Sequence, residues 1–213
     1  GIVVDKHPEH DEWIPELIFS NLKAGSNFDD SEERLVAGTN GVGSTLTNIF
    51  SKAFRIRTSD GKKDFSQKFA NNMTSKDTAE VSKAKSKKGY TEIAFMPDFE
   101  RFEMKTVDED HMMMLQKRVI DLAACNPKLK VTFNKEDYSF KSFEDYCKLY
   151  SEDVIYVEGP RWKIGIASSH GSMQHVSFVN SVETSDGGTH VDYIANQIVT
   201  HLRALIKKKH KID

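Results

Sequence analysis

The run Gly38-Thr39-Asn40-Gly41-Val42-Gly43-Ser44-Thr45 gathers three glycines with four small polar side chains just ahead of an apolar pattern. A glycine turn that feeds a helix brings free backbone amides and the positive end of a helix dipole to one point, which suits a phosphate or another anion. The separation of Gly38 and Gly43 matches the P-loop GxxxxGK[ST], but Ser44 stands where the lysine belongs. The dinucleotide fingerprint GxGxxG after a clear strand is absent as well. On spacing alone the segment reads either as an anion cradle built of amides or as a plain turn into a helix.

The elements that position this segment follow from periodicity. Asp11 to Leu22 places Trp13, Ile14, Leu17, Ile18 and Leu22 at helical spacing, with Pro15 tolerated in the first turn. Lys23 to Arg34 has loop composition. Leu46, Ile49, Phe50 and Phe54 recur at threes and fours, so a helix is expected from Thr45 to Phe54. Arg55–Ser59 and Lys62–Phe69 alternate around Asp60-Gly61 as an antiparallel hairpin, and Tyr90–Met96 reads as a further strand. The lysine- and serine-rich stretch Ser75–Lys88 reads as a solvated loop.

Met112, Met113 and Met114 precede Leu115, Val119 and Leu122 at helical spacing, and their expected role is core packing. A hairpin over Lys130–Phe140 and a helix over Ser142–Tyr150 follow, and then strands at Ile155–Val157, Trp162–Ala167 and His175–Asn180. A final helix is expected to be capped by Thr189 with Asp192 as capping-box partner, burying Ile194, Ile198, Leu202 and Leu205. This order gives an α/β chain in two parts, with a boundary near residue 150.

Composition narrows the class. With 213 residues and 38% hydrophobic content the chain can close a core, and 30 basic against 32 acidic side chains leave any nucleic-acid contact to local clusters. Cys125 and Cys147 are the two cysteines; they lack ligand spacing and are expected to be buried, reduced thiols. No long apolar run and no charged-then-apolar leader is present, so a soluble, cytoplasmic protein is expected.

Four separated motifs in order carry a resemblance: WIPELIFSNLKAGSNFDD, GTNGVGSTLTNIFS, GYTEIAFMPDFERF and SFVNSVETSDGGTHVDYI. Together they resemble the ATPase and transducer region of type IIA DNA topoisomerases, especially the eukaryotic and T-even phage branch, over nearly the whole chain. The resemblance implies a partial Bergerat (GHKL) ATP-binding sandwich over residues 1–150, then the start of a ribosomal-protein-like transducer domain over 151–213. It implies that Gly38, Thr39, Asn40, Gly41, Val42 and Gly43 form a lid whose amides meet the ATP phosphates, with Ser44 and Thr45 opening the helix behind them. Eukaryotic members carry a lysine where this chain has Thr45. Gly25, Ser26 and Asn27 match a segment that touches ribose and phosphate, and Thr91 matches a threonine at the adenine site. Lys207, Lys208 and Lys209 match a lysine run that contacts the transported DNA duplex, although a basic helix end also simply complements a dipole.

The resemblance further implies ATP and Mg2+ as cofactors, and DNA, a second copy in a homodimer and the remaining topoisomerase segments as partners. The family's general base, its metal-holding asparagine and its adenine-reading aspartate match no residue here; Gly1-Ile-Val-Val resembles the end of the Asp-x-Gly-x-Gly motif, which would place all three before residue 1. The family's Gln-Thr-Lys loop would follow Asp213. The expectation is therefore no catalytic residue and no metal ligand in this chain, and poor hydrolysis by it alone. Two other readings remain open at this stage: a truncated remnant that binds and poisons a complete subunit, and a DNA-binding scaffold that uses no nucleotide.

Overall fold

The computed structural model describes residues 1–25, 27 and 36–210. They fall into two compact units that divide between Val107 and Asp108, with Ala37 and its predecessor counted with the second. The helix that follows Val107 packs with the elements after it, as its hydrogen bonds show below.

The first unit contains helices α1 (Ile14–Ser20) and α2 (Gly43–Ile49) and strands β1 (Ser51–Ser59), β2 (Lys63–Ala70), β3 (Ser75–Lys76), β4 (Glu80–Lys83) and β5 (Tyr90–Pro97). The sheet is antiparallel in the order β3-β2-β1-β5, and β4 pairs with the first half of β2. Phe54, Ile56, Phe65 and Phe69 alternate onto one face, where Val4 and Phe19 join them in the buried core. Phe54 is its centre, with ring centroids 5.7 Å from Phe19 and 6.3 Å from both Phe69 and Phe95.

Three expectations need correction here. α1 starts at Ile14, not Asp11, because Trp13 is extended in a bridge to Lys6 and the Ile14 amide donates to Asp5. α2 stops at Ile49, so Phe54 faces the core from a strand and not from a helix. The segment Ser75–Lys88 is also more than a loop, since β3 and β4 complete β2's ladder.

The β1–β2 turn is the expected Asp60-Gly61 hairpin. Asp60 accepts the amides of Lys62 and Lys63 at 2.7 and 2.8 Å through one oxygen and that of Val4 at 3.2 Å through the other. The Lys63 amide, then those of Lys62 and Val4, hold its carboxyl down to about 2.

The second unit contains α3 (Glu109–Cys125), the hairpin β6 (Val131–Phe133) with β7 (Glu136–Tyr138), α4 (Phe143–Cys147), the hairpin β8 (Ile155–Glu158) with β9 (Lys163–Ile166), the short pair β10 (Phe178–Val179) with β11 (Val182–Glu183), and α5 (Thr189–His210). Asp108 caps α3 by accepting the His111 amide at 2.9 Å, and Ser142 with Asp145 makes a full capping box on α4. Asn134-Lys135 and Asn180-Ser181 turn their hairpins with positive φ at both central residues, the geometry whose twist suits two-residue hairpins.

Asp121 ties this unit together. Its carboxylate is 1% exposed and accepts from the Tyr146 hydroxyl and the Lys117 ammonium, each at 2.8 Å. Lys117 reaches on to Glu183 at 2.8 Å, and Arg118 donates to the Ser181 carbonyl at 2.6 Å. Burial, with Tyr150 and Asp121 beside it, raises the Tyr146 pKa, so its hydroxyl stays a donor.

α3 buries Asp121, Ala123 and Ala124 near its C-terminal end, and the expected methionine core is corrected: Met113 and Met114 are exposed. The last helix differs too. Thr189 is its first residue, the amides of Val191 and Asp192 donate to Gly188, and Leu202 and Leu205 are half exposed. Cys125 and Cys147 are free and half-buried, and burial raises both thiol pKa values. No helix among the described residues is long and apolar enough to cross a membrane.

Asp60 yields a pH signature. A carboxyl held low in the fold stabilises it above the unfolded value and loses that contribution as pH falls from about 4 towards about 2. Urea midpoints of the wild type are expected to drop through this window, and those of Asp60→Ala to start lower and drop less. Parallel pH profiles for the two proteins would refute the assignment.

Candidate functional site

α1 is short, and the carbonyls of its last turn have no partner inside the helix. α2 supplies the donors. The Ser44 hydroxyl donates to Ile18 at 3.1 Å, the Asn48 amide to Phe19 at 3.0 Å and the Thr45 hydroxyl to Asn21 at 2.9 Å. Thr45 and Asn48 are both fully buried. Positions 44, 45 and 48 share one face of a helix, so a single polar face of α2 closes the end of α1.

This latch defines what the glycine turn can offer. The Ser44 and Thr45 hydroxyls face inward, while the first intrahelical bond of α2 runs only from Leu46 to Val42. The amides of Gly43, Ser44 and Thr45 thus precede the ladder, and Val42 gives no side-chain cap. The outward chemistry of the helix start is its amides and its dipole.

The turn ahead of it is held from below. Gly41 has φ +59°, and a Cβ there would lie 2.6 Å from the Gly25 nitrogen, so glycine is required for the two segments to touch. The Asn27 side chain donates to the Gly38 carbonyl at 3.0 Å. Gly38 and Gly43 differ from Gly41: a Cβ on either would meet no described residue within 4 Å, and neither lies in the left-handed region. The structure thus brings together Gly25, Asn27, Gly38, Thr39, Asn40, Gly41, Val42, Gly43, Ser44 and Thr45 at one turn, whereas Ser26 lies outside the described residues.

Thr91 belongs to a separate cluster at the hairpin end of β1. The buried Thr58 hydroxyl donates to the Tyr90 carbonyl at 2.8 Å and accepts the Ile2 amide at 3.0 Å. Because that hydroxyl has one proton, the 2.9 Å contact between Thr58 and Thr91 requires Thr91 to donate. Thr91 is exposed, and its oxygen is left as an acceptor towards solvent or a ligand.

Lys207, Lys208 and Lys209 form the exposed last turn of α5, where cations complement the dipole. Among the described residues no three His, Cys, Asp or Glu side chains gather as a metal would require.

With this geometry in view, the likeness to known proteins is specific. The DNA gyrase B family profile matches residues 134–213. The chain is 43% identical over 221 residues to a probable DNA topoisomerase 2 of Dictyostelium discoideum, which takes in 99% of this chain. It superposes on the ATPase and transducer domains of DNA topoisomerase II from Balamuthia mandrillaris with a TM-score of 0.93 at 36% identity, covering 99% of this chain and 56% of that one.

The chain belongs to the type II DNA topoisomerase family.

It also superposes on the ATPase region of Saccharomyces cerevisiae topoisomerase II, with a TM-score of 0.92 at 35% identity over 98% of this chain and 57% of that one. The chain spans 14% of the length of the Dictyostelium relative. The family match lies within the second unit, and the glycine turn within the first.

Two residues of this candidate site are not among those singled out from the sequence, although Asn48 lies within the glycine-turn motif. Asn48 sits one helical turn after Ser44, and Thr58 interrupts the apolar alternation of Phe54 and Ile56. A polar residue on an inward face is the signal that marks both.

Thr45→Val keeps the shape of the latch but removes the donor to a buried carbonyl. It is expected to lower the unfolding free energy by about 1–3 kcal/mol. A urea midpoint unchanged from wild type would show that the Thr45 bond is not part of what holds α1 and α2.

Proposed function

We propose that this chain contributes the phosphate lid and the first part of the transducer to the ATP-driven clamp of a type II DNA topoisomerase. The observation that carries the reading is the pair Gly38 and Gly43, where no described residue fills the space of a Cβ. Backbone that a ligand can approach closely, ahead of a helix with no side-chain cap, suits phosphate oxygens. The near-complete superposition on a topoisomerase ATPase and transducer structure supports the same reading.

In this reading the amides of Gly38 to Gly43 hold the triphosphate, with Ser44 and Thr45 opening the helix aimed at it, and Gly25 and Asn27 serve the ribose side. Thr91, its proton committed to Thr58, accepts a hydrogen bond from the adenine amino group or from a water beside it. Bound ATP supplies the anionic charge that draws the lid closed, and its hydrolysis would reopen it. Closure around a DNA segment by two copies of the chain makes the clamp, with Lys207, Lys208 and Lys209 on the DNA phosphates. A functional division near residue 150 separates the nucleotide part from the transducer part.

General-base hydrolysis needs a carboxylate within hydrogen-bond reach of the attacking water, and Glu9, Glu12 and Glu16 do not match the family's base. Glu12 and Glu16 are instead paired with Lys76, at 3.5 and 2.7 Å. Magnesium finds no ligand cluster among the described residues. In this reading the residues assigned here serve binding and closure.

Calorimetric titration of the 213-residue chain with a nonhydrolysable ATP analogue should give saturable binding, weakened by Thr91→Val and restored by Thr91→Ser. The same chain should turn ATP over no faster than a buffer control. Absence of binding would remove the nucleotide reading, and turnover would show that a base is present.

A further inference from the structure

The hairpin end of the first unit carries an excess of positive charge that the nucleotide site does not use. Between Gly61 and Gly89 there are eight lysines against three acidic residues, in a chain whose formal net charge is -2. The fold gathers five of these lysines. Lys83 pairs in register with Lys63, and Ala84 donates to the Lys62 carbonyl at 2.8 Å, which lays the segment after β4 along the hairpin. The Lys85 amide then donates to Asp64 at 3.4 Å. The Lys87 carbonyl lies 2.5 Å from where a Cβ on Gly61 would stand, so only glycine, with its φ of +86°, lets the lysine segment rest on the turn.

The side chains of Lys62, Lys83, Lys85, Lys87 and Lys88 are all exposed, and none forms an ion pair with a described residue. The carboxylates nearby are fewer than the lysines: Asp60 holds three backbone amides and attracts Lys62, Asp5 pairs with Lys63, Asp64 accepts the Lys85 amide, and Glu80 is exposed at the start of β4. Like-charged lysines crowded across a strand pair repel one another. An external polyanion relieves that repulsion.

We propose that this lysine rim is a second binding surface for duplex DNA, formed by the first unit and separate from the lysines of α5. It rests on the topoisomerase reading for the class of polyanion, and on the charge pattern for its place. Interfaces with protein need a desolvated apolar or aromatic centre, from which lysine is depleted. This rim offers point charges with the exposed Ser82, Ser86 and Tyr90 adjoining them in the chain, the donor set that meets a phosphate backbone without reading sequence.

The test is a salt titration of binding between the 213-residue chain and a short fluorescein-labelled DNA duplex, followed by anisotropy. Every phosphate that a variant no longer neutralises should reduce the slope of log K against log salt by about 0.9, so a variant with Lys83→Gln, Lys85→Gln, Lys87→Gln and Lys88→Gln should show a reduction of about 3 to 4 if all four lysines sit on DNA phosphates. A second variant, Lys207→Gln with Lys208→Gln and Lys209→Gln, should lower the slope additively.

Wild-type slope in the rim variant, with circular dichroism showing it folded, overturns the proposal. So does a rim variant that no longer binds labelled poly-glutamate while keeping duplex binding, which would assign the rim to an acidic protein. Should the four-site variant unfold, the pair Lys62→Gln and Lys87→Gln takes its place with an expected reduction of about 2. Failure of the nucleotide reading would show as absent ATP-analogue binding and leave this slope unchanged, so the two are separable.

Discussion

A seven-residue helix cannot satisfy its own ends, and the first unit is arranged around that deficit. α1 leaves the carbonyls of Ile18 and Phe19 open, and Asn21 just past it adds another; α2 closes all three with Ser44, Asn48 and Thr45. Buried carbonyls without donors cost about 1–3 kcal/mol each, so the two helices stand or fall together. The consequence for function is a division of labour within two adjacent residues. Ser44 and Thr45 commit their side chains to the fold and keep their amides for whatever meets the glycine turn. The absence of a P-loop lysine at Ser44 is then not a lesion, because that position faces α1.

The second unit solves a similar problem with charge. Asp121 would be costly to bury alone, yet it takes donors from Lys117 and Tyr146, and Lys117 extends the network to Glu183. One carboxylate thereby fixes α3 against α4 and against the β10–β11 pair. The aromatic rings of Phe140, Phe143 and Phe178 close around Tyr146 at centroid distances of 5.5 to 5.9 Å and supply the apolar side of the same junction. Met113 and Met114 are exposed in the first half of α3, whose buried residues Asp121, Ala123 and Ala124 all lie near its C-terminal end.

These two junctions explain what the sequence could and could not disclose. Hairpins were legible, because alternation around Asp60-Gly61 and Asn134-Lys135 is a local signal. The extents of α1 and α2 were not: Trp13 is held by a bridge to Lys6, and Phe54 at helical spacing belongs to a strand that tertiary pairing selects. The burial expected of Leu202 and Leu205 also failed, since amphipathic spacing states which face is apolar and not what covers it. For the candidate site, the motifs located the turn, and only the structure showed that its hydroxyls point inward and that Thr91 hands its proton to Thr58.

If the start of α2 binds phosphate through its amides while its side chains serve the fold, the amides themselves must report the ligand. The decisive experiment follows the backbone amide resonances of Gly43, Ser44 and Thr45 by heteronuclear NMR as a nonhydrolysable ATP analogue is added. Saturable shifts are expected at these three amides, and they should persist in Ser44→Ala because that hydroxyl faces Ile18. Saturation elsewhere with these amides unmoved would contradict the assignment.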